Sequence, residues 1–451
     1  MKKLLSFTFL FLTIGFLQAQ LSGSYTVDLR LPTKKSNFNN LTEAINALQF
    51  KGIDGDVVFE IKSGDYYEPL VFEGIDNDLN FSVTFKAEQD GKVNFINDGL
   101  GLLVSNSSNM IFTNLSFNST STELSSIAIL SNSSNIILES NEFIASEISE
   151  THKSVISLTT TSDNNIINAN KIIGASGIEL ARMSNENFIS SNEIFFQNKG
   201  IEVLSSVDNT LFSNTISGHG DLGNIGIQLD GYGGTVNIAS NAIGNTKVGL
   251  TQALTYRPSD KKLSGKIVNN VIVSEENTIE LTNNIFELKI AFNSFTSNNG
   301  TVISAVEALK GSITDIDVFA NNLLNQSEKP IIYANSKAIF GNVDYNNLYN
   351  VEGNFYTSVN GTESRSIEEW KYNMASNHTI SADPEYVALD SKKYLLSDKS
   401  PCIDAGPKTN NIGVLTDFDG DLRDEKTEIG ADEFNKTSYE NMLLRINLAM
   451  E

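Results

Sequence analysis

The chain has 451 residues, of which 55 are acidic and 32 are Lys or Arg, so its formal net charge is −23. Such an excess of negative charge opposes binding to phosphate backbones, and we therefore expect no nucleic-acid partner. Cys402 is the only cysteine, which excludes an intramolecular disulfide, and with only three histidines beside it the chain has too few soft ligands for a zinc site.

Residues 1–19 have the pattern of a secretory signal peptide. Lys2 and Lys3 precede an apolar run over residues 4–17, which is too short to span a membrane, and Ala19 suits the cleavage position. We expect a mature chain that begins near Gln20, is secreted and carries no transmembrane segment. A retained N-terminal anchor is the alternative.

A short amphipathic helix is predicted over residues 40–49. Asn40 stands three residues before Glu43, a spacing typical of a helix N-terminus, and one helical face is apolar: Leu41, Ala44, Ile45 and Leu48. Residues 57–61 and 70–72 follow with the apolar pattern of strands.

The body of the chain is a repeat centred on asparagine. An Asn followed one residue later by an apolar position recurs at intervals of about 22 to 29 residues, a period typical of solenoids, at Asn114, Asn141, Asn170, Asn192, Asn214, Asn241, Asn270, Asn293 and Asn321. One such unit cannot bury its apolar face alone, whereas stacked units form continuous parallel sheets. We therefore predict an all-β parallel β-helix of about ten coils, in which asparagines at the corners adopt left-handed backbone and bond from coil to coil.

Several segments resemble secreted bacterial right-handed parallel β-helix proteins of the pectate-lyase-like superfamily. The Gly64-Asp65-Tyr66-Tyr67-Glu68 stretch is similar to their entry coil, units such as Gly177-Ile178-Glu179-Leu180 resemble the repeats of carbohydrate-binding proteins and sugar hydrolases, and residues 382–386, 400–406, 419–423 and 429–434 resemble their closing segment. The chain then divides into a cap with the first coils (20–97), the β-helix (98–350), an irregular closing segment (351–434) and a tail (435–451). The N-terminal helix is expected to cap the first coil.

The resemblance implies an extracellular protein that binds or processes a polysaccharide or a cell-surface glycan, with lyase or glycoside hydrolase chemistry left open. A non-catalytic surface adhesin or structural protein is the alternative, because the fold does not determine the function. We expect a monomer, and attachment to the cell surface stays open. The acidic composition would repel a polyanion unless basic residues cluster locally or calcium bridges.

A column of polar side chains is predicted on one sheet. Glu179, Glu202 and Gln228 each lie between apolar residues about one coil apart, so they should stack on adjacent rungs. Two adjacent carboxylates suit acid/base catalysis, which makes Glu179 and Glu202 the candidate catalytic pair. Gln228, with Arg182 and Asp230 just beyond the same strands, is a candidate for substrate binding. A solvated acidic face is the alternative.

A calcium site is predicted at Asp417, Asp419 and Asp421. Three carboxylates at alternate positions with no sulfur or imidazole ligand suit Ca²⁺, the only cofactor that we expect. The alternative is a structural loop held by hydrogen bonds of the Asp residues and Arg423.

Overall fold

Short apolar strands separated by polar corners wind into a right-handed parallel β-helix of about ten turns, as predicted. The computed structural model describes residues 20–75, 80–121, 126–145, 154–219, 223–230, 234–253, 262–282, 284–307, 312–387, 395–408 and 413–435. The predicted signal peptide and residues 436–451 of the predicted tail lie outside these ranges. No helix in the described ranges is long and apolar enough to cross a membrane.

Strands of the first sheet, called sheet 1, pair in parallel, one per coil. In order across the sheet they are Asn37–Phe38, Leu21–Val27, Ile53–Ile61, Val83–Ala87, Ser108–Thr113, Ser134–Glu139, Ile166–Asn168, Phe188–Ser190, Asn209–Phe212, Gly234–Ala239, Leu263–Val268, Ile285–Ala291, Ile316–Phe319 and Phe340–Asp344, with Ile313–Thr314 also pairing to Ile285–Ala291.

The remaining strands join into a second, larger sheet, called sheet 2, that bends around the other faces of the solenoid. In chain order they are Gly64–Tyr66, Leu70–Glu73, Val93–Asn97, Leu102–Ser105, Ser116–Ser119, Ala128–Ser131, Glu142–Ala145, Ser154–Thr159, Lys171–Ile173, Ser176–Ala181, Glu193–Phe196, Lys199–Leu204, Thr215–Gly218, Gly223–Asp230, Ala242–Ala253, Val271–Ser274, Ile279–Leu281, Ser294–Ser297, Ile303–Ala305, Asn322–Asn325, Ile332–Ala334, Asn347–Asn350, Thr357–Val359 and Thr362–Ser364.

A ladder of buried asparagines runs along the corner between the two sheets. In each, Nδ2 donates to Oδ1 of the asparagine one coil further on, at 2.9–3.2 Å, through Asn141, Asn170, Asn192, Asn214, Asn241, Asn270, Asn293, Asn321 and Asn346. The predicted bonding between asparagines of successive coils is confirmed. Buried amides that bond to one another and to backbone carbonyls satisfy the polar groups of a corner that water does not reach.

Two details of the predicted corner are wrong. From Asn141 to Asn346 the left-handed residue is the one before each ladder asparagine, with φ of 53–57° from Ser140 to Tyr345, so these asparagines are selected for the amide and not for the backbone. Asn114 does have the predicted left-handed backbone, with a φ of 56°. Asn114 lies outside the ladder, because Leu115 occupies the equivalent place and its N–H bonds to Asn141 Oδ1 at 3.0 Å.

Apolar side chains fill the interior in columns along the axis. Two phenylalanine stacks with centroid distances of 4.6–5.9 Å occupy the early coils, one of Phe59, Phe85 and Phe112 and one of Phe95, Phe117 and Phe143. All six rings are buried, and each contributes about 1.5–3 kcal/mol of hydrophobic free energy.

Helix α1 (Leu41–Lys51) caps the N-terminal end, as predicted. Asn40 Oδ1 accepts the Glu43 N–H at 2.8 Å, and the buried residues are the four that the pattern indicated: Leu41, Ala44, Ile45 and Leu48. The helix packs against the strands Leu21–Val27, Asn37–Phe38 and Leu70–Glu73, so its apolar face covers the open first coil.

The other end is closed by an antiparallel pair, Thr357–Val359 with Thr362–Ser364, and by helix α2 (Ile367–Met374), which buries Trp370. A single 3₁₀ turn, Lys337–Ile339, precedes them. Sequence analysis missed α2 although the Ser-x-x-Glu pattern of a helix N-terminus was present: Ser366 accepts the Glu369 N–H, and Glu369 accepts the N–H of Arg365, the residue before the N-cap. The rest of the closing segment is irregular, as predicted, and returns along the flank of the solenoid.

Candidate functional site

The outward face of sheet 1 presents two columns of side chains on its later coils. The lysine column consists of Asn237, Lys266, Lys289 and Asp317, which are register partners on successive strands. The floor column, two residues further along each strand, consists of Ala239, Val268, Ala291 and Phe319. Coils about 4.8 Å apart place the members of each column side by side.

A groove lies over these columns. It comprises two adjoining cavities of about 990 and 840 Å³, which share Lys289 and Asp317 as lining residues. The first cavity lies over the lysine column and the floor column, and its lining also includes Phe212 and Asn269. The second cavity continues over Phe319 and Tyr345. Concave sites of this size are where small molecules and polymer segments bind.

The closing segment forms one wall of the groove. Residues 413–416 flank the first cavity and residues 404–408 flank the second. Asn269 Nδ2 donates to the Thr416 carbonyl at 2.6 Å, and the Gly430 N–H donates to the Ala320 carbonyl at 2.9 Å. Gly430 has a φ of 116°, and a Cβ there would lie 3.1 Å from Ser294 Oγ, so this close approach requires glycine.

A buried arginine anchors the wall. Arg423 Nη1 donates to Glu433 Oε2 at 2.9 Å, Nη2 donates to Asn269 Oδ1 at 2.9 Å, and the guanidinium lies 4.2 Å from the centroid of the Phe292 ring. Burial raises the pKa of Asp432 to about 8; burial and then the neighbouring Glu433 raise the pKa of Glu428 to about 10. Both shifts favour the neutral, protonated carboxyl, so the buried anchor holds less negative charge than its composition suggests.

Lysines gather in the groove although the chain as a whole is acidic. Lys266 and Lys289 belong to the lysine column, and Lys408 and Lys426 belong to the wall. Lys426 Nζ lies 3.9 Å from Asp404 Oδ2, and Asp317 Oδ1 accepts the Asn342 N–H at 2.9 Å. The four lysines are matched by four carboxylates in the lining, Glu287, Asp315, Asp317 and Asp404, so the groove is less acidic than the chain as a whole.

An aromatic platform closes the far end of the groove. The Tyr345 ring stacks on the His378 imidazole with centroids 4.3 Å apart and an interplanar angle of 5°, and Phe319 meets Tyr345 edge-on at 5.6 Å. Tyr345 is the left-handed residue that precedes the ladder residue Asn346, which is why its side chain leaves the solenoid at this corner. Flat aromatic faces of this kind pack against the apolar faces of ring-shaped ligands.

The same platform contains a proton-transfer pair. His378 Nδ1 lies 2.7 Å from Asp344 Oδ2, and the His378 N–H donates to Asp344 Oδ1 at 2.8 Å. In the tautomer in which Nδ1 carries the proton and donates to Asp344, Nε2 is the proton acceptor, which is the arrangement of a general base.

The structure places the predicted column of sheet 2 as expected in register. Glu179 pairs with Glu202, and Glu202 pairs with Gln228. Glu179 accepts a hydrogen bond from Ser157 Oγ at 2.9 Å, and Glu202 forms an ion pair with Lys199. None of the three column residues lines either cavity of the groove, and their catalytic and binding roles stay predictions.

The two further binding candidates lie at corners. Arg182 is exposed in the turn after the strand Ser176–Ala181, with a φ of 54°. Asp230 Oδ2 accepts the Ser205 N–H at 2.7 Å and thereby ties one coil to the next. A part in substrate binding is untested for both.

The Asp417 loop is held by its own backbone. Asp417 is buried, its Oδ1 accepts the N–H groups of Asp419 and Asp421 at 3.0 and 2.8 Å, and its Oδ2 accepts the Glu433 N–H at 3.0 Å. Within the described ranges, no three His, Cys, Asp or Glu side chains converge as metal ligands. These bonds support the structural alternative, and calcium binding remains a prediction.

Sequence analysis missed the groove, although part of it is readable once the ladder is known. The lysine column lies four residues before successive ladder asparagines, and the floor column lies two before. Reading the sequence at those two offsets finds Lys266, Lys289 and Asp317. The pair of Asp344 with His378 leaves no such signal, because it depends on how the closing segment folds back.

Known structures share the fold. Pectate lyase Pel9A matches with 10% identity over 91% of this chain and 96% of its own, at a TM-score of 0.51. XylC, determined in complex with xylose, matches with 9% identity over 92% and 99%, at a TM-score of 0.50. The Dettilon tailspike protein matches at 14% identity and a TM-score of 0.47, and the match covers 67% of this chain and 64% of the tailspike.

No protein-family model matches the chain, and no curated protein matches it in sequence. At 9 and 10% identity the two fuller matches speak for architecture alone. The predicted pectate-lyase-like architecture is confirmed at that level: the chain is a right-handed parallel β-helix of the kind found in pectate lyase.

Proposed function

We propose that the protein binds and processes a polysaccharide in the groove between sheet 1 and the closing segment. The observation that carries this proposal is the combination of a lysine column, an apolar floor and an aromatic platform along one walled groove. A polymer of sugar rings needs such a set: cations and amides for its polar groups, and flat apolar surfaces for its ring faces.

Polysaccharide processing is consistent with the fold, which this chain shares with pectate lyase Pel9A. The charge balance of the groove admits acidic as well as neutral polymers. His378, oriented by Asp344, is our candidate for proton transfer, with Lys289 and Asp317 as neighbouring groups on the floor. We propose that the protein acts outside the cell, which the predicted signal peptide over residues 1–19 supports, and that it does so as a monomer.

A polysaccharide panel tests the proposal. The mature chain is incubated with polygalacturonate, alginate, xylan and a β-glucan, with and without calcium, and both binding and the release of reducing ends and unsaturated products are measured. Products with one polymer would identify the reaction class. Binding with no product would favour the non-catalytic adhesin, and no binding to any polymer would contradict the proposal.

Matched variants locate the site. We expect Lys289→Ala and Tyr345→Ala each to weaken binding about tenfold, which corresponds to about 1.4 kcal/mol. The controls are Lys329→Ala and Tyr372→Ala, because both residues are exposed and neither lines the groove. Equal losses in the controls would show that the groove is not the binding site.

A further inference from the structure

Two exposed phenylalanines lie on sheet 1 at the open end of the groove. Phe188 is 38% exposed and Phe212 is 40% exposed, and their rings stack with centroids 6.2 Å apart at an angle of 26°. The rings therefore present one broad apolar surface to solvent. Most of the large apolar side chains on this solenoid are buried, so this stacked pair is one of the few apolar surfaces that it offers to a binding partner.

The pair belongs to the same two columns that form the groove. Phe188 is the register partner of Thr210, which pairs with Asn237 at the start of the lysine column. Phe212 is the register partner of Ala239 at the start of the floor column, and it also lines the larger cavity. The aromatic pair is thus continuous with the groove along the axis of the solenoid.

The surroundings of the pair suit a ligand with both polar edges and apolar faces. Thr210 follows Phe188 in the first column. Asn168 and Ser190 precede Phe212 in the second column, where Ser190 Oγ donates to Asn168 Oδ1 at 2.8 Å. Hydroxyl and amide groups therefore flank the rings. A sugar ring offers C–H groups on its face and hydroxyls on its rim, which matches this alternation.

We propose that Phe188 and Phe212 form a second stacking platform for the polysaccharide that occupies the groove, an inference that rests on the proposed function. The polymer then runs along the solenoid axis from this platform to Tyr345. The register from Phe188 to the Asp344 strand contains six steps between coils, so at about 4.8 Å per step the two platforms are about 29 Å apart. A bound segment must contain several sugar residues to reach both.

Dependence on ligand length tests this arrangement. Affinities of the wild-type chain are measured by calorimetry for the trimer and the octamer of each polymer that binds in the panel. We expect the octamer to bind at least about tenfold more tightly than the trimer. In the Phe188→Ala variant, the octamer should fall to the affinity of the trimer, while binding of the trimer in the groove should be unchanged, because Phe188 lines neither cavity.

Controls separate the two proposals. Phe50→Ala removes a ring that is 84% exposed on helix α1, and it should alter neither affinity. Phe188→Leu keeps the apolar area without the ring, and it replaces the alanine variant if circular dichroism shows that variant to be unfolded. Loss of length dependence in the leucine variant supports the platform.

Three results would overturn the inference. Unchanged octamer binding in the phenylalanine variants, with binding still lost in Lys289→Ala, would remove the platform and leave the proposed function standing. A wild-type dimer by light scattering that the variants convert to monomers, with unaltered glycan binding, would show that a second copy covers the rings. Failure of every polymer to bind the wild-type chain would remove both proposals.

Discussion

Asn321 is the ladder residue beneath the groove floor, and its replacement by alanine tests how the site is supported. The side chain is fully buried. Its Nδ2 donates to the carbonyls of Ile290 and Phe319 at 2.7 and 3.1 Å and to Asn346 Oδ1 at 3.0 Å. Its Oδ1 accepts from the backbone N and from Nδ2 of Asn293 at 3.0 and 2.9 Å.

The expected loss of stability in Asn321→Ala follows from the polar groups that lose the Asn321 side chain as a hydrogen-bond partner. Asn346 Oδ1 keeps the Asn321 backbone N–H, and Asn293 Nδ2 keeps two carbonyls as acceptors. The Asn293 backbone N–H loses the acceptor it has in Asn321, and the Ile290 carbonyl loses a side-chain donor. Each buried polar group left unpaired costs about 1–3 kcal/mol, so we expect the free energy of unfolding to fall by about 2–5 kcal/mol.

Equilibrium denaturation followed by circular dichroism measures this change, with Asn354→Ala as the matched control, because Asn354 is exposed. Asn321→Asp keeps the shape of the side chain but cannot donate when it is ionised. At neutral pH this variant should be at least as destabilised as Asn321→Ala, and its stability should partly recover in acid. A change in Asn321→Ala within about 0.5 kcal/mol of the control would refute the view that the ladder holds the corner.

Three further predictions concern the closing segment and the sheet 2 column. The raised pKa values of Asp432 (about 8) and Glu428 (about 10) mean that the folded chain holds protons that the unfolded chain releases near pH 4. The contribution of these two carboxyls to the stability of the closing segment should therefore be greatest in acid and fall as the pH rises from about 4 towards 8 to 10. Hydrogen-exchange protection of the Gly430 and Ala431 amides, corrected for intrinsic rates, measures this change. Asp417→Asn should lower the melting temperature by the same amount with and without calcium, because three N–H donors lose an anionic acceptor. Glu179→Gln combined with Glu202→Gln should lower product formation in the panel if these paired carboxylates carry the chemistry.

Each of these has a distinguishing outcome. Asp432→Asn should flatten the pH dependence, and an unaltered slope would mean that this carboxyl is not its source. A calcium-dependent rise in the melting temperature of the wild-type chain, absent in Asp419→Asn, would favour the predicted metal site over the structural loop. Full activity in the Glu179→Gln/Glu202→Gln variant, with activity lost in His378→Gln, would place catalysis in the groove instead of on sheet 2.

The regular spacing of residues along the sequence was sufficient to predict most of the fold. The spacing of the asparagines predicted the solenoid and its bonded corner, and it correctly placed Glu179 beside Glu202, because both follow from one repeat length per coil. The N-terminal cap was readable because Asn40 and the apolar residues of one face lie within a dozen residues.

The groove was not readable in the same way because its wall arrives from far along the chain. The bond between Asn269 and Thr416 joins residues 147 apart, and His378 reaches Asp344 only after the chain has passed through helix α2. No repeat relates such partners. Composition could not locate the site either, since an average over the whole chain does not show that Lys266 and Lys289 lie side by side on one face.

The wall also has a consequence for the order in which the protein matures. Coils of a solenoid can stack as soon as their neighbours exist, so sheet 1 can assemble while later residues are still unfolded. The groove has its second side only after residues 413–431 have docked on Asn269, Ser294 and Ala320. The ability to hold a ligand would then be the last property gained during folding. It would be the first property lost when the wall anchored by Arg423 separates from sheet 1.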